Sequence, residues 1–136
     1  MIFVDTSFWV ALAIEADQQH VSASRLLATH PGAALATSNG IRGETWTFMQ
    51  RRFGHGAAVA LVERLDRTPR LTVVRVTGDD EGNAWDWLRQ HDEREYSFVD
   101  ATSFVLMRRL AIREAFAFDG DFAAAGFVEL RPSGEA

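Results

Sequence analysis

Four short apolar runs, Ile2-Phe3-Val4, Ala34-Leu35-Ala36-Thr37, Leu71 to Val76 and Ala115-Phe116-Ala117-Phe118, are separated by longer stretches whose apolar residues recur at helical spacing. Runs of this length suit strands buried on both faces, and the stretches between them are long enough to cross over between parallel neighbours. The alternation therefore predicts an α/β fold: a mostly parallel central sheet covered by helices on both faces, with crossovers of one hand. Ligands of such sheets gather beyond the carboxyl ends of the strands. Two of the runs leave an acid at that place, Asp5 after the first and Asp119 after the fourth.

The segments between the strands carry helix signals. Thr6 or Ser7 caps a helix through Phe8, Trp9, Leu12 and Ala13, and Asp17 caps a second one carrying Val21, Leu26 and Leu27. Ser38 or Asn39 opens a third that runs through Glu44 to about Phe53, and Gly54 and Gly56 part it from a fourth through Leu61 and Leu65. Thr77 with Asp80 and Glu81 begins a helix through Trp85 and Leu88, and Ser97 caps Phe98 to about Ala111. Asp121 reads as the cap of a short helix over Phe122 to Ala125, and Phe127 to Leu130 as a final edge strand.

No linker, repeat or change of composition divides the chain, so residues 1–136 are expected to form a single domain. The absence of cysteine removes thiolate catalysis, zinc ribbons and disulfide frameworks. No secretory signal opens the sequence and no apolar run approaches the roughly 20 residues of a membrane span, which makes a soluble, cytoplasmic protein the expectation. The net charge of −5 works against loose binding to a polyanion. All fourteen basic residues are arginines, the side chain that forks onto phosphate, although a GC-rich genome explains that preference equally well.

Each acid has an ordinary reading when taken alone. Asp5 in Asp5-Thr6-Ser7 can belong to helix capping, Asp100 can meet the free amides of a helix start, and Glu44 can pair with Arg51 or Arg52 around its helix. Asp121 can be a cap and Gly120 a turn residue. Together they are more specific, because clustered carboxylates raise one another's proton affinity unless a cation neutralises them. Carboxylate oxygens suit Mg²⁺ or Mn²⁺, whereas the scattered His20, His30, His55 and His91, read as surface residues, do not make a zinc site. No Walker loop and no Gly-x-Ser-x-Gly elbow is present.

The four motifs Ile2-Phe3-Val4-Asp5-Thr6-Ser7-Phe8-Trp9, Thr37-Ser38 followed by Glu44-Thr45, Ser97-Phe98-Val99-Asp100-Ala101, and Ala117-Phe118-Asp119-Gly120-Asp121-Phe122 resemble the ordered acidic motifs of PIN domains, especially VapC-type toxins. Asp5, Glu44, Asp100 and Asp119 fall on the family's four acidic positions. The resemblance implies a three-layer αβα sandwich, Mg²⁺ or Mn²⁺ in the acidic cluster, and hydrolysis of RNA phosphodiesters. It also implies a small VapB-like antitoxin, whose C-terminal segment lies along an apolar groove, and a homodimeric toxin within a larger toxin–antitoxin assembly. Exposed members of Phe8, Trp9, Trp46 and Phe48 are candidates for the groove, with core packing expected for most.

Within this reading Asp5 and Asp100 hold the principal ion, and Glu44 and Asp119 complete its water-mediated shell or a second, substrate-dependent site. Asp119-Gly120-Asp121 offers two carboxylates where the family needs one; Asp119 is favoured, and Asp121 either binds through water or caps the next helix. Thr6 and Ser7 are auxiliary, Ser7 orienting Asp5 or a water rather than acting as a nucleophile, since no base that would activate it is visible. Arg42, Arg51, Arg52, Arg108 and Arg109 are candidates for RNA-backbone contacts, each with solvated helix-face charge as its ordinary reading. Two other functions fit parts of the sequence. A dimeric aspartic protease shares the short Asp-Thr-Ser run but not the helical content, and a catalytically silent PIN-like binding module would keep the fold without the chemistry. Nothing in the sequence reads out which RNA is cut.

Overall fold

A computed structural model describes residues 1–134; the last two residues of the expected 1–136 domain lie outside the described residues. The chain runs β1 (Ile2–Val4), α1 (Thr6–Ala13), α2 (His20–Thr29), β2 (Leu35–Ser38), α3 (Asn39–Phe53), α4 (His55–Asp66), β3 (Leu71–Val74), α5 (Gly78–Gln90), α6 (Phe98–Arg109), β4 (Glu114–Phe116), α7 (Asp121–Ala124) and β5 (Val128–Glu129). The strands form one sheet in the order β3-β2-β1-β4-β5, every neighbouring pair parallel. Ile2 stands opposite both Leu35 and Glu114, which makes β1 the central strand. Helices cover both faces, so the architecture is the three-layer αβα sandwich. That mixture of helix and parallel sheet removes the aspartic protease alternative, whose fold is mainly β.

The strands are as apolar as their position requires. β1 and β2 are buried along their whole length, and the edge strand β3 exposes Thr72 and Val73. Aromatic rings fill the space between sheet and helices: Phe8 of α1 stacks on Phe116 of β4 with centroids 4.5 Å apart, and Phe104 of α6 meets Phe122 of α7 edge-on at 5.0 Å. Thr37, buried in this layer, donates its hydroxyl to the Val4 carbonyl at 2.8 Å, whereas among the described residues the buried indole N–H groups of Trp9 and Trp87 have no hydrogen-bond partner.

Several element ends differ from the expected ones, each for a local reason. The cap of α1 is Asp5 itself, not Thr6 or Ser7, because its Oδ2 accepts the Ser7 amide. Asp17 closes a turn by accepting the Gln19 amide at 2.8 Å, and α2 starts only at His20. Ser38 is the cap of α3, its hydroxyl accepting the Ile41 amide. β3 stops at Val74 rather than Val76, since the Val76 amide turns to Asn39 Oδ1 at 2.8 Å. β4 stops at Phe116 rather than Phe118, because the Phe118 amide leaves the ladder for Ser7 Oγ at 3.1 Å. α6 ends at Arg109, ahead of Ala111 in the left-handed region at φ 56°. The last strand shrinks to Val128–Glu129 but keeps the expected edge position.

This packing makes a stability comparison possible. Phe8 is fully buried and Phe48 is 37% exposed. Phe8→Ala is expected to cost about 3–5 kcal/mol, and Phe48→Ala about 1 kcal/mol or less, read as the shift of the urea midpoint at constant slope.

Candidate active site

β1 has β2 on one side and β4 on the other, so the crossovers diverge around it and a crevice opens at the carboxyl ends of β1 and β4. Asp5 stands at the end of β1, anchored by its amide, which donates to the Phe116 carbonyl at 3.0 Å, and its residue is only 2% exposed. Asp119 follows β4 at the solvent-facing lip of the crevice. α3 leaves β2 directly and carries half-buried Glu44 inward, and α6 presents Asp100 from its first turn. These four acids, with Asp121, Thr6 and Ser7, line one cavity of about 430 Å³.

The immediate supports of each acid are specific. Asp5 Oδ2 accepts the Ser7 hydroxyl at 2.7 Å as well as the Ser7 amide, and the Ser7 oxygen accepts the Phe118 amide. Ser7 therefore ties β1 to the segment after β4 and orients Asp5. Asp100 Oδ2 accepts the Ser97 amide at 3.0 Å while the Ser97 hydroxyl accepts the Asp100 amide, a reciprocal capping box. Asp100 thus both closes the helix start and faces the pocket, where the sequence offered those as alternatives. Asp119 Oδ1 accepts the Asp121 amide at 3.2 Å. Asp121 is the first residue of α7 and not its cap, which is Gly120 in the left-handed region at φ 85°. Its Oδ1 pairs with Arg94 Nε at 2.8 Å.

Crowding of negative charge shows in the proton affinities. Burial, then the charge of Asp119 and to a smaller degree that of Glu44, push the Asp5 carboxyl up to about 8, against the pull of the Ser7 hydrogen bonds. Partial desolvation, then the charges of Asp121 and Asp100, push the Asp119 carboxyl to about 6, against the pull of the Asp121 amide. Glu44 is raised by burial and by Asp100, partly offset by the Thr6 hydroxyl. Asp100 is raised by burial and by Asp121, offset by the Ser97 contacts and by Arg94.

The donor set consists of oxygens, and none of the four histidines lines the cavity. His55 is exposed as expected, whereas His20, His30 and His91 are partly buried elsewhere. Among the described residues no three carboxylate or histidine groups already converge as a finished metal cage. The carboxylate oxygens that line the cavity are the donor type that Mg²⁺ or Mn²⁺ takes.

The candidate arginines separate into two groups. Arg42 forks onto Asp66 and Arg109 onto Asp80, while Arg108 donates to the Ala125 carbonyl. Arg51 and Arg52 instead border a groove that contains Glu44 and Phe48 and opens beside the acidic cavity, with Arg52 lying 5.6 Å over the Phe48 ring. Of the four aromatic residues considered for a groove, Phe8 and Trp9 are in the core, Trp46 is half-buried and Phe48 is exposed. Sequence reasoning missed Arg94, hidden in the run Glu93-Arg94-Glu95 that reads as solvated charge. It also missed Glu129, whose carboxylate accepts the Gly120 and Ala123 amides and so braces the turn after β4.

Comparison with known proteins places this geometry in a family context. The PIN domain profile matches residues 2–128. The 23S rRNA-specific endonuclease VapC20 of Mycobacterium tuberculosis, strains CDC 1551 / Oshkosh and ATCC 25618 / H37Rv, is 59% identical over 133 residues, covering 97% of this chain and 99% of the relative. A crystal structure of Mycobacterium tuberculosis VapC20, described as a Sarcin-Ricin loop cleaving toxin, matches with a TM-score of 0.91 and 56% identity over 97% of this chain and 100% of that one.

The raised proton affinity of Asp5 has a consequence for stability. The unfolded chain releases this proton near 3.8 and the folded one near 8, so the folded state is favoured by the extra proton. That contribution is complete below the lower value and is lost as pH rises through the upper one. In EDTA, the stability of the wild type is therefore expected to fall between about pH 5 and about pH 8.5, and Asp5→Asn to flatten the dependence. Equal pH slopes for the two proteins in denaturant titrations contradict the assignment.

Proposed function

This chain belongs to the PIN-domain family, and from there we propose that it is an endoribonuclease that cuts 23S ribosomal RNA at the sarcin–ricin loop, as the toxin of a toxin–antitoxin pair. The observation carrying this reading is the meeting of Asp5, Glu44, Asp100 and Asp119, drawn from β1, α3, α6 and the turn after β4, in one cavity of a chain so close to a ribosomal RNA endonuclease.

Asp5 and Asp100 are the principal ligands of a Mg²⁺ or Mn²⁺ ion in this proposal, with Glu44 and Asp119 completing the cluster and Asp121 withdrawn by its ion pair. When bound, the cation supplies neutralising charge for a phosphodiester and acidifies water for its hydrolysis. Ser7 holds Asp5 in place through two hydrogen bonds and so serves orientation, not attack. Thr6, buried beside Glu44, restrains that side chain. Asp119 keeps Oδ1 on the Asp121 amide of its own turn, which leaves Oδ2 for the cluster. Arg51 and Arg52 take the RNA backbone as it leaves the cavity past Phe48. The chain's overall negative charge makes such local arginines the main source of attraction for phosphate.

A VapB-like antitoxin and a homodimeric toxin complete the proposal. Their support on this chain is exposed Phe48, which adjoins Glu44 in the groove beside the cavity.

The test is cleavage of purified ribosomes or 23S RNA with Mg²⁺ or Mn²⁺. Wild type is expected to cut once within the large-subunit RNA and to stop on addition of EDTA. Asp5→Asn and Asp100→Asn are expected to lower kcat by about 100-fold or more while keeping the wild-type circular dichroism. Undiminished metal-dependent cutting by both variants rejects the assignment, and a wild type that binds an antitoxin but cuts no RNA returns the silent binding module.

A further inference from the structure

The loop between α5 and α6 carries Arg94, whose guanidinium reaches across to the turn after β4. Its Nε donates to Asp121 Oδ1 at 2.8 Å and its Nη2 to the main-chain oxygen of Asp119 at 3.1 Å. The same Nη2 lies 3.4 Å from where a Cβ on Gly120 would stand, so the guanidinium lies close over the turn. Gly120 also has φ 85°, so a side chain there meets strain as well as crowding. From the other side, Glu129 of β5 accepts the Gly120 amide at 3.3 Å and the Ala123 amide at 3.0 Å. The turn bearing Asp119 is thus gripped between Glu129 and Arg94.

Arg94 lies three residues before Ser97, the cap of α6, and Ser97 in turn holds Asp100. One side chain therefore ties the segment that supplies Asp119 to the segment that supplies Asp100, although the two acids come from different elements. The clamp leaves the Asp119 carboxylate free of arginine, since the contact is to its main chain, and occupies Asp121 instead.

We propose that Arg94 is a positioning residue that sets the spacing of Asp119 and Asp100 for a divalent cation and keeps Asp121 out of the ligand set. This rests on the metal-dependent reading of the pocket given above. Such a role is distinct from a contribution to folding: the Arg94 side chain is 41% exposed, and exposed ion pairs add little to stability. It also depends on the fork of the guanidinium, because a lysine ammonium cannot make both bonds in the same plane.

The experiment is Mn²⁺ binding to the purified full-length protein, followed by electron paramagnetic resonance, for wild type, Arg94→Ala and Arg94→Lys, alongside thermal melts and cleavage kinetics. Arg94→Ala is expected to bind Mn²⁺ about 10- to 100-fold more weakly, as second-layer partners of metal ligands typically do, with its melting temperature little changed. Arg94→Lys is expected to fall between the two, and free guanidinium ion to restore part of the affinity of Arg94→Ala. In cleavage, kcat drops and KM stays. Unchanged Mn²⁺ affinity in Arg94→Ala overturns the proposal, as does a loss that merely follows the unfolded fraction; should alanine fail to fold, Arg94→Lys with wild-type affinity overturns it equally. A wild type that binds Mn²⁺ but cuts no RNA defeats the nuclease reading alone, and one that binds no Mn²⁺ defeats both.

Discussion

An aspartate only 2% exposed, at the carboxyl end of the central strand, sets the terms for everything around it. The Asp5 amide donates to the Phe116 carbonyl, which ties its backbone to the β1–β4 pairing, and Ser7 holds its side chain. The carboxyl is thus held where other carboxylates also collect, a place in which desolvation makes its charged form costly. The surroundings answer in two ways. Ser7 donates its hydroxyl and amide to the carboxylate, and a proton stays on it well into neutral pH.

The helices follow from the same requirement. α1 starts at Asp5 because the buried carboxylate is also its cap, and α6 starts at Ser97 because Asp100 closes the capping box from within. Helix starts carry unpaired amides and partial positive charge, which favours carboxylates there. Capping and candidate chemistry are consequently not rival explanations for these acids. One oxygen of each is taken by the backbone, which fixes its direction, and the side chain as a whole still faces the cavity.

Much of this was legible in the sequence, and for physical reasons. Strands buried on both faces leave continuous apolar runs, so Ile2 to Val4 and Ala34 to Thr37 announced themselves, and the Ser97 and Thr77 caps follow a local chemical rule. The sheet's parallel sense followed from the helical stretches between the runs. What stayed hidden depends on contacts between distant segments. β3 and β4 end early because Asn39 and Ser7 draw amides out of the ladder, and neither partner is near in sequence. The sequence favours Asp119 over Asp121, but what separates them is Arg94, 25 and 27 residues earlier, which takes the side chain of Asp121 and only the main chain of Asp119. Single arginines were unreadable for the same reason: Arg42 and Arg109 are engaged by carboxylates, while Arg51 and Arg52 border the groove.

The strand order has a bearing on the life of the molecule during its synthesis. β1 is made first but lies in the middle of the sheet, and its neighbour β4 begins only at Glu114, with the bracing carboxylate of Glu129 later still. A nascent chain thus carries Asp5, Glu44 and Asp100 before β4 exists to bring Asp119 beside them, because contacts so far apart in sequence form only after the intervening loop has closed. The pocket with all four acids exists only once β4 has paired with β1 and the turn after it has been made.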